Sequence, residues 1–132
     1  MISYRLRLLV FLSSILIVLH GIEEYLTNFH HIDPIFLFVF APLLKGNANQ
    51  AAFVTFQIMA WMLLFSSFVL LQGRKWILRM LCILGIVMIF ELHHFVEAMM
   101  TQSYYSGLLT ASLFPVLAFF YWKELLKEFR RP

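Results

Sequence analysis

Apolar residues run almost unbroken through four stretches of this chain, and the charged residues gather between those stretches or near their ends. A helix that crosses a bilayer needs about 20 mostly apolar residues. Residues 6–25, 51–71, 76–100 and 105–122 meet that requirement, so the pattern predicts an all-α fold: a four-helix transmembrane bundle in a single domain covering 1–132. Residues 33–45 are apolar too, but too short to cross, and Pro34 and Pro42 punctuate them. Irregular backbone survives at membrane depth only against protein or water. This piece is therefore expected as an interfacial or re-entrant segment between helices one and two, capping the bundle. Pro115 predicts a kink in the fourth helix. Arg5 and Arg7 before an apolar run also describe a signal peptide, but no small-x-small cleavage site follows, and His20, Glu23 and Glu24 stand where one would be needed. The first helix is expected to be retained.

Composition turns this pattern into a statement about solvent. The chain is 62% hydrophobic and 13% charged, against about 45–50% and about 25% in soluble domains. A fold of this size cannot bury such an excess from water, so its solvent is lipid. The basic residues then fix the orientation. Arg5 and Arg7, Arg74, Lys75 and Arg79, and Lys123, Lys127, Arg130 and Arg131 all fall on one side of the bundle, with Lys45 alone on the other. The positive-inside rule puts both termini in the cytoplasm and the protein in the cytoplasmic membrane. Distributed in this way, the net charge of +3 reports topology and surface anchoring, and no nucleic-acid partner is expected. Cys82, a single thiol in an apolar run, reads as a packing residue. The charge run of the tail, with Glu124 and Glu128 at helical spacing from Lys127 and Arg131, reads as a solvated helix end.

The acidic residues change the picture most. Helix one carries His20-Gly-Ile-Glu23-Glu24, and helix three carries Glu91-Leu-His93-His94-Phe-Val-Glu97. Each ionisable group at such depth costs roughly 2.5–3.5 kcal/mol to insert, so these should face the interior and find partners. His20, Glu23 and Glu24 share one helical face, and Glu91, His94 and Glu97 are read as a second stripe. Rising at about 1.5 Å per residue, both sets reach the outer half of the bilayer. Carboxylates and imidazoles converging on one layer suit a divalent metal, and Glu91-x-x-His94 has a spacing used in helical di-metal bundles. A nitrogen and oxygen donor set without thiolate suits zinc, iron or manganese. The expected ligands are His20, Glu23, Glu24, Glu91, His94 and Glu97, with Glu23 or Glu97 as the proton-transfer partner. His93, Gln57, Tyr104, Tyr105 and Thr110 are expected around them, bonded to the ligands. A metal-free acid–base site and a purely structural cluster remain open readings. His30 and His31 are expected at the outer surface.

At His20-Gly-Ile-Glu23-Glu24 the chain resembles the HXXEE family of small multipass membrane proteins. His94, or its neighbour His93, looks like the family's later histidine. Tyr104-Tyr105-Ser106-Gly107 looks like its last element, with Ser106 where the family has proline. The resemblance covers the chain from helix one to helix four and implies a shared site without a reaction. From the residues themselves, the leading expectation is a metal-dependent membrane enzyme acting on a lipid-soluble small molecule. An ion- or proton-binding transport protein, which with four spans would call for an oligomer, and a structural partner whose cluster only locks its helices are the alternatives.

Overall fold

The computed structural model describes residues 2–131, and among these every regular element is a helix. Helix α1 (Tyr4–Leu26) begins where the Ser3 hydroxyl accepts the Leu6 N–H, an ordinary N-cap. Its buried residues are Leu6, Ser13, Leu16 and His20. With the half-buried Leu9, Val10 and Ile17 between them, they mark the seven-residue seam of helices that pack at a shallow crossing angle. His20, Glu23 and Glu24 simply continue that seam, so the face that packs apolar residues low in the bundle delivers polar ones at its top.

The segment expected between helices one and two is present as three short helices, α2 (Phe29–Ile32), α3 (Pro34–Val39) and α4 (Ala41–Leu44). Asn28 turns the chain in the left-handed region at φ 60°, which asparagine tolerates. Asp33 then caps α3, accepting the Phe36 N–H at 2.6 Å, with Pro34 in the first turn. Helix α5 (Ala48–Leu71) opens with a reciprocal capping box between Asn47 and Gln50. It packs on α6 and α4, buries Val69 alone, and exposes side chains all round, as a lipid-facing apolar helix does.

The third span is α6 (Arg74–Phe90) followed by α7 (His93–Thr101). The fourth is α8 (Leu108–Ala111) followed by α9 (Phe114–Arg130). Three stretches, Tyr4–Leu26, Ala48–Leu71 and Arg74–Thr101, are long and apolar enough to cross a membrane, and α9 is the fourth long helix. Two boundaries differ from the sequence reading. The third span is interrupted at Glu91–Leu92 instead of running straight through. The fourth starts at Leu108, and the kink expected from Pro115 is a break at Ser112–Leu113, while its continuation to Arg130 agrees with the helical spacing of the tail charges. Proline has no N–H to offer one turn back, so the helix restarts with Pro115 in its first turn.

Helix α9 lies against α6 and α1. Gly85 permits the close approach: a Cβ there would stand 2.7 Å from the Trp122 ring. Trp122 donates its indole N–H to the Gly85 carbonyl at 3.2 Å, and the Tyr121 hydroxyl donates to the Leu81 carbonyl at 2.7 Å. Leu6, Leu16, Leu78, Met88, Phe114 and Leu125 fill the core, with Cys82 packed at its edge. At the basic end of the bundle, Glu128 is 1% exposed and accepts from the Ser3 N–H and Arg74. It is thus a buried tie between three helices and not part of a solvated helix end. Glu124, in contrast, pairs with Lys127 at 2.6 Å on the surface. The last turn of α9 meets the start of α1, and α8 meets the end of α1, so α9 runs antiparallel to it.

Candidate metal centre

The interruption at Glu91–Leu92 builds half of the site. There the N–H groups of Leu92, His94 and Phe95 bond three residues back, to Ile89, Glu91 and Leu92, at 3.1, 3.4 and 3.1 Å. Such a tightened turn eclipses side chains three apart, so Glu91 and His94 point the same way. A regular α-helix would separate residues six apart by about 120°, and α7 is regular beyond His94. Glu97 therefore leaves the stripe: among the described residues its carboxylate makes no ion pair or hydrogen bond with the histidines. The expectation of Glu97 as a ligand and proton-transfer group is not supported by this geometry.

The other half comes from α1. His20 Nε2 lies 3.1 Å from His94 Nε2 and 3.0 Å from Glu91 Oε2, and His94 Nε2 lies 3.3 Å from the same oxygen. Glu24 Oε1 stands 3.6 Å from both imidazole nitrogens. His94 is fully buried and His20 is 4% exposed. The rings meet edge to face at 4.7 Å, walled by Phe114 beside His20 and Phe29 beside His94.

The outward nitrogens decide the tautomers. His94 Nδ1 lies 2.6 Å from the Ser106 carbonyl, which can only accept. His20 Nδ1 lies 2.8 Å from Thr110 Oγ1, whose single proton goes to Glu23 Oε2 at 2.5 Å. Both Nδ1 atoms must therefore donate, and in the neutral rings both Nε2 atoms present lone pairs. With both rings neutral, two lone pairs and a carboxylate oxygen face one another across about 3 Å, an arrangement that either a proton on one Nε2 or a bound cation would relieve. His20, Glu91 and His94 together could hold a metal ion.

Gly107 makes the approach of the two rings achievable. It sits at φ +83°, where only glycine is comfortable, and a Cβ there would lie 2.7 Å from His20 Cε1 and 2.8 Å from His94 Cε1.

Glu23, expected as a ligand and proton-transfer group, faces away from the Nε2 atoms. It accepts from the N–H groups of Leu109 and Thr110 at 3.0 and 2.8 Å, from Thr110 Oγ1, and from the Tyr104 hydroxyl. Its lone pairs are spent capping α8 and fixing the His20 tautomer through Thr110. Thr110 bonds His20 itself, while Tyr104 bonds Glu23, outside the group of His20, Glu91 and His94. Tyr105 and His93 belong to a neighbouring group. The Tyr105 hydroxyl donates to Asp33 Oδ2 at 2.7 Å, His93 Nδ1 bonds the Phe90 carbonyl at 3.0 Å, and His93 Nε2 lies 3.6 Å from Asp33 Oδ2. Gln57 is on α5, which packs on α6 and α4, and it makes no side-chain hydrogen bond to the site. Its expected place beside the ligands is corrected. His30 and His31 lie on α2, half-buried and exposed.

Asp33, 1% exposed, was missed by the sequence reading as a site residue. The available signal was Asp33-Pro34, an N-cap followed by a helix-starting proline, which anchors α3 over the histidines. Beside Glu24 a cavity of about 290 Å³ opens, walled by Gly21, Tyr25, Phe29, His30 and Phe36. Glu24 is the carboxylate that joins this cavity to the imidazole pair. No family model, curated protein or solved structure matches this chain.

Proposed function

We propose that the protein is a metal-dependent membrane enzyme acting on a lipid-soluble small molecule. The carrying observation is the pair of Nε2 lone pairs, fixed by Ser106 and Thr110, that converge with Glu91. Donor atoms about 2.0–2.1 Å from a zinc ion lie about 3.3 Å apart on the edges of a tetrahedron. The observed separations of 3.0, 3.1 and 3.3 Å fit that edge. Zinc, iron and manganese all suit the nitrogen and oxygen donors. His20, His94 and Glu91 are the ligands in this reading.

Bound there, a divalent ion would supply Lewis-acid chemistry, polarising an oxygen or activating a water. The chain's own residues do the rest. Ser106 and Thr110 hold the imidazoles in the ligating tautomer, as hydrogen-bonded neighbours of metal ligands do. Glu24 takes over the proton-transfer role first sought in Glu23 and Glu97, because it alone of the carboxylates borders both the imidazoles and the cavity. Tyr25, Phe29 and Phe36 give that cavity an apolar wall for a compound arriving from the lipid. The resemblance to the HXXEE family, carried by His20, Glu23, Glu24 and His94, supports a shared site and adds no reaction.

Both termini are taken to be cytoplasmic, a reading supported by the basic residues at one end of the bundle, and reporters fused to each end test it. Turnover of lipid-soluble compounds in membranes, comparing the chain with its Glu24→Gln and Glu91→Gln variants, tests the reaction. Both variants should lose turnover while remaining folded. A change in cation or proton flux without a lipid product would favour transport, and a loss of melting temperature alone would make the cluster structural.

A further inference from the structure

At the end of the bundle opposite the histidines, a cavity of about 440 Å³ lies between α6 and α9. Arg74, Lys75 and Arg79 of α6 and Arg131 beyond α9 line it, against a single carboxylate, Glu128. That carboxylate is already committed. It accepts from the Ser3 N–H at 3.3 Å, from Arg74 Nη2 at 3.3 Å and from Arg131 Nη1 at 2.5 Å.

Lys75 and Arg79 are left over. Among the described residues Lys75 makes no ion pair, and Arg79 only lays its guanidinium over the Trp76 ring, 4.7 Å from its centre. The two are four residues apart on one helix, where like charges repel and destabilise. No acidic residue stands in the first turn of α6 to offset them, the N-terminus of α6 adds positive potential, and the opposing carbonyls of Glu128 and Arg131 at the end of α9 are taken by Arg74. The field over this cavity lacks an anion.

The remaining walls are apolar. Leu78 and Phe129 line the cavity, and Trp76, half-exposed beside it, is the residue type that settles at headgroup level. A soluble phosphate would use the cations and leave these walls empty. A phospholipid uses both.

We propose that this cavity binds the phosphate headgroup of an anionic phospholipid, with Lys75 and Arg79 as its counter-ions and Leu78 and Phe129 against its glycerol and first acyl carbons. The site is independent of the metal centre.

The test is lipid retention by the full chain, released from vesicles of phosphatidylcholine mixed with phosphatidylglycerol and examined by native mass spectrometry. Wild-type protein should retain phosphatidylglycerol over phosphatidylcholine. The double variant Lys75→Gln, Arg79→Gln should weaken that retention by about thirty-fold, the effect of two cations near a membrane surface. Both side chains are exposed, so the variant should keep its helicity, which circular dichroism checks. The double variant Lys123→Gln, Lys127→Gln removes the same charge from the same end and should leave retention unchanged. Equal loss in both variants would reduce the effect to general surface attraction and overturn the site. Displacement of the lipid by millimolar inorganic phosphate would make it a soluble-anion site and overturn the lipid assignment.

Discussion

His20 and His94, 74 residues apart in the chain, turn their Nε2 atoms toward each other at 3.1 Å, and the hydrogen bonds on their Nδ1 atoms leave both facing nitrogens with lone pairs. In the proposed metal centre those lone pairs are donors to a cation, and removing that cation should destabilise the protein. Chelator should lower the melting temperature of purified protein, and readdition of zinc, iron or manganese should restore it, since ligand binding to the folded state alone adds stability. His94→Ala should show no chelator effect.

Gly107 tests the backbone that brings the rings together. Gly107→Ala forces a side chain into the left-handed region, at a cost of about 1–2 kcal/mol, and pushes a methyl against both imidazoles. The variant should melt earlier than wild type and lose metal. A Gly73→Ala variant, also at positive φ but with nothing within 4 Å, should melt earlier and keep its metal. Equal metal content in the two variants would contradict the close-approach argument.

Glu23 and Glu24 are adjacent in sequence and opposite in role, and their glutamine variants should separate. Glu23→Gln weakens the cap of α8 and the Thr110 contact, which should cost about 1–3 kcal/mol of stability. Glu24→Gln should leave the melting temperature close to wild type and abolish turnover. A Glu24 variant that unfolds, beside a Glu23 variant that does not, would reverse the assignment.

Glu128 gives the basic end a pH dependence. Burial opposes its charge, but hydrogen bonds from Ser3 and Arg74 and the nearby Arg131 hold its carboxyl below the usual range. A carboxyl depressed in the folded state contributes stability that is complete above its unfolded value and is lost as pH falls through the folded one. Thermal stability should fall on acidification below the ordinary carboxyl range, and Glu128→Gln should flatten that fall.

Much of this arrangement was legible before any coordinates. The seven-residue seam of α1 can be read directly from Leu6, Ser13 and His20, and the cost of placing charge in lipid is a sound reason to expect His20, Glu24, Glu91 and His94 to meet. Four features were not legible. The tightened turn at Glu91, which aligns Glu91 with His94, depends on hydrogen bonds that no side-chain spacing encodes, and the regular helix beyond His94 carries Glu97 off the stripe. Glu23 sits in a ligand-like motif, but its partner is the start of α8, a helix of four residues too short to be expected. Asp33 reaches His93 and Tyr105, beside the site, because the segment after α1 folds back over them, a tertiary event invisible to periodicity. Glu128 was concealed by the charges around it, which look like a solvated tail until α1 and α6 are seen to close over them.

Elemental analysis of protein purified without chelator reads the metal itself. About one zinc, iron or manganese ion per chain is expected, absent from the His20→Ala and His94→Ala variants. Folded wild-type protein that carries no metal, takes up none when offered, and melts no lower than a metal-supplemented sample would contradict the proposed metal centre.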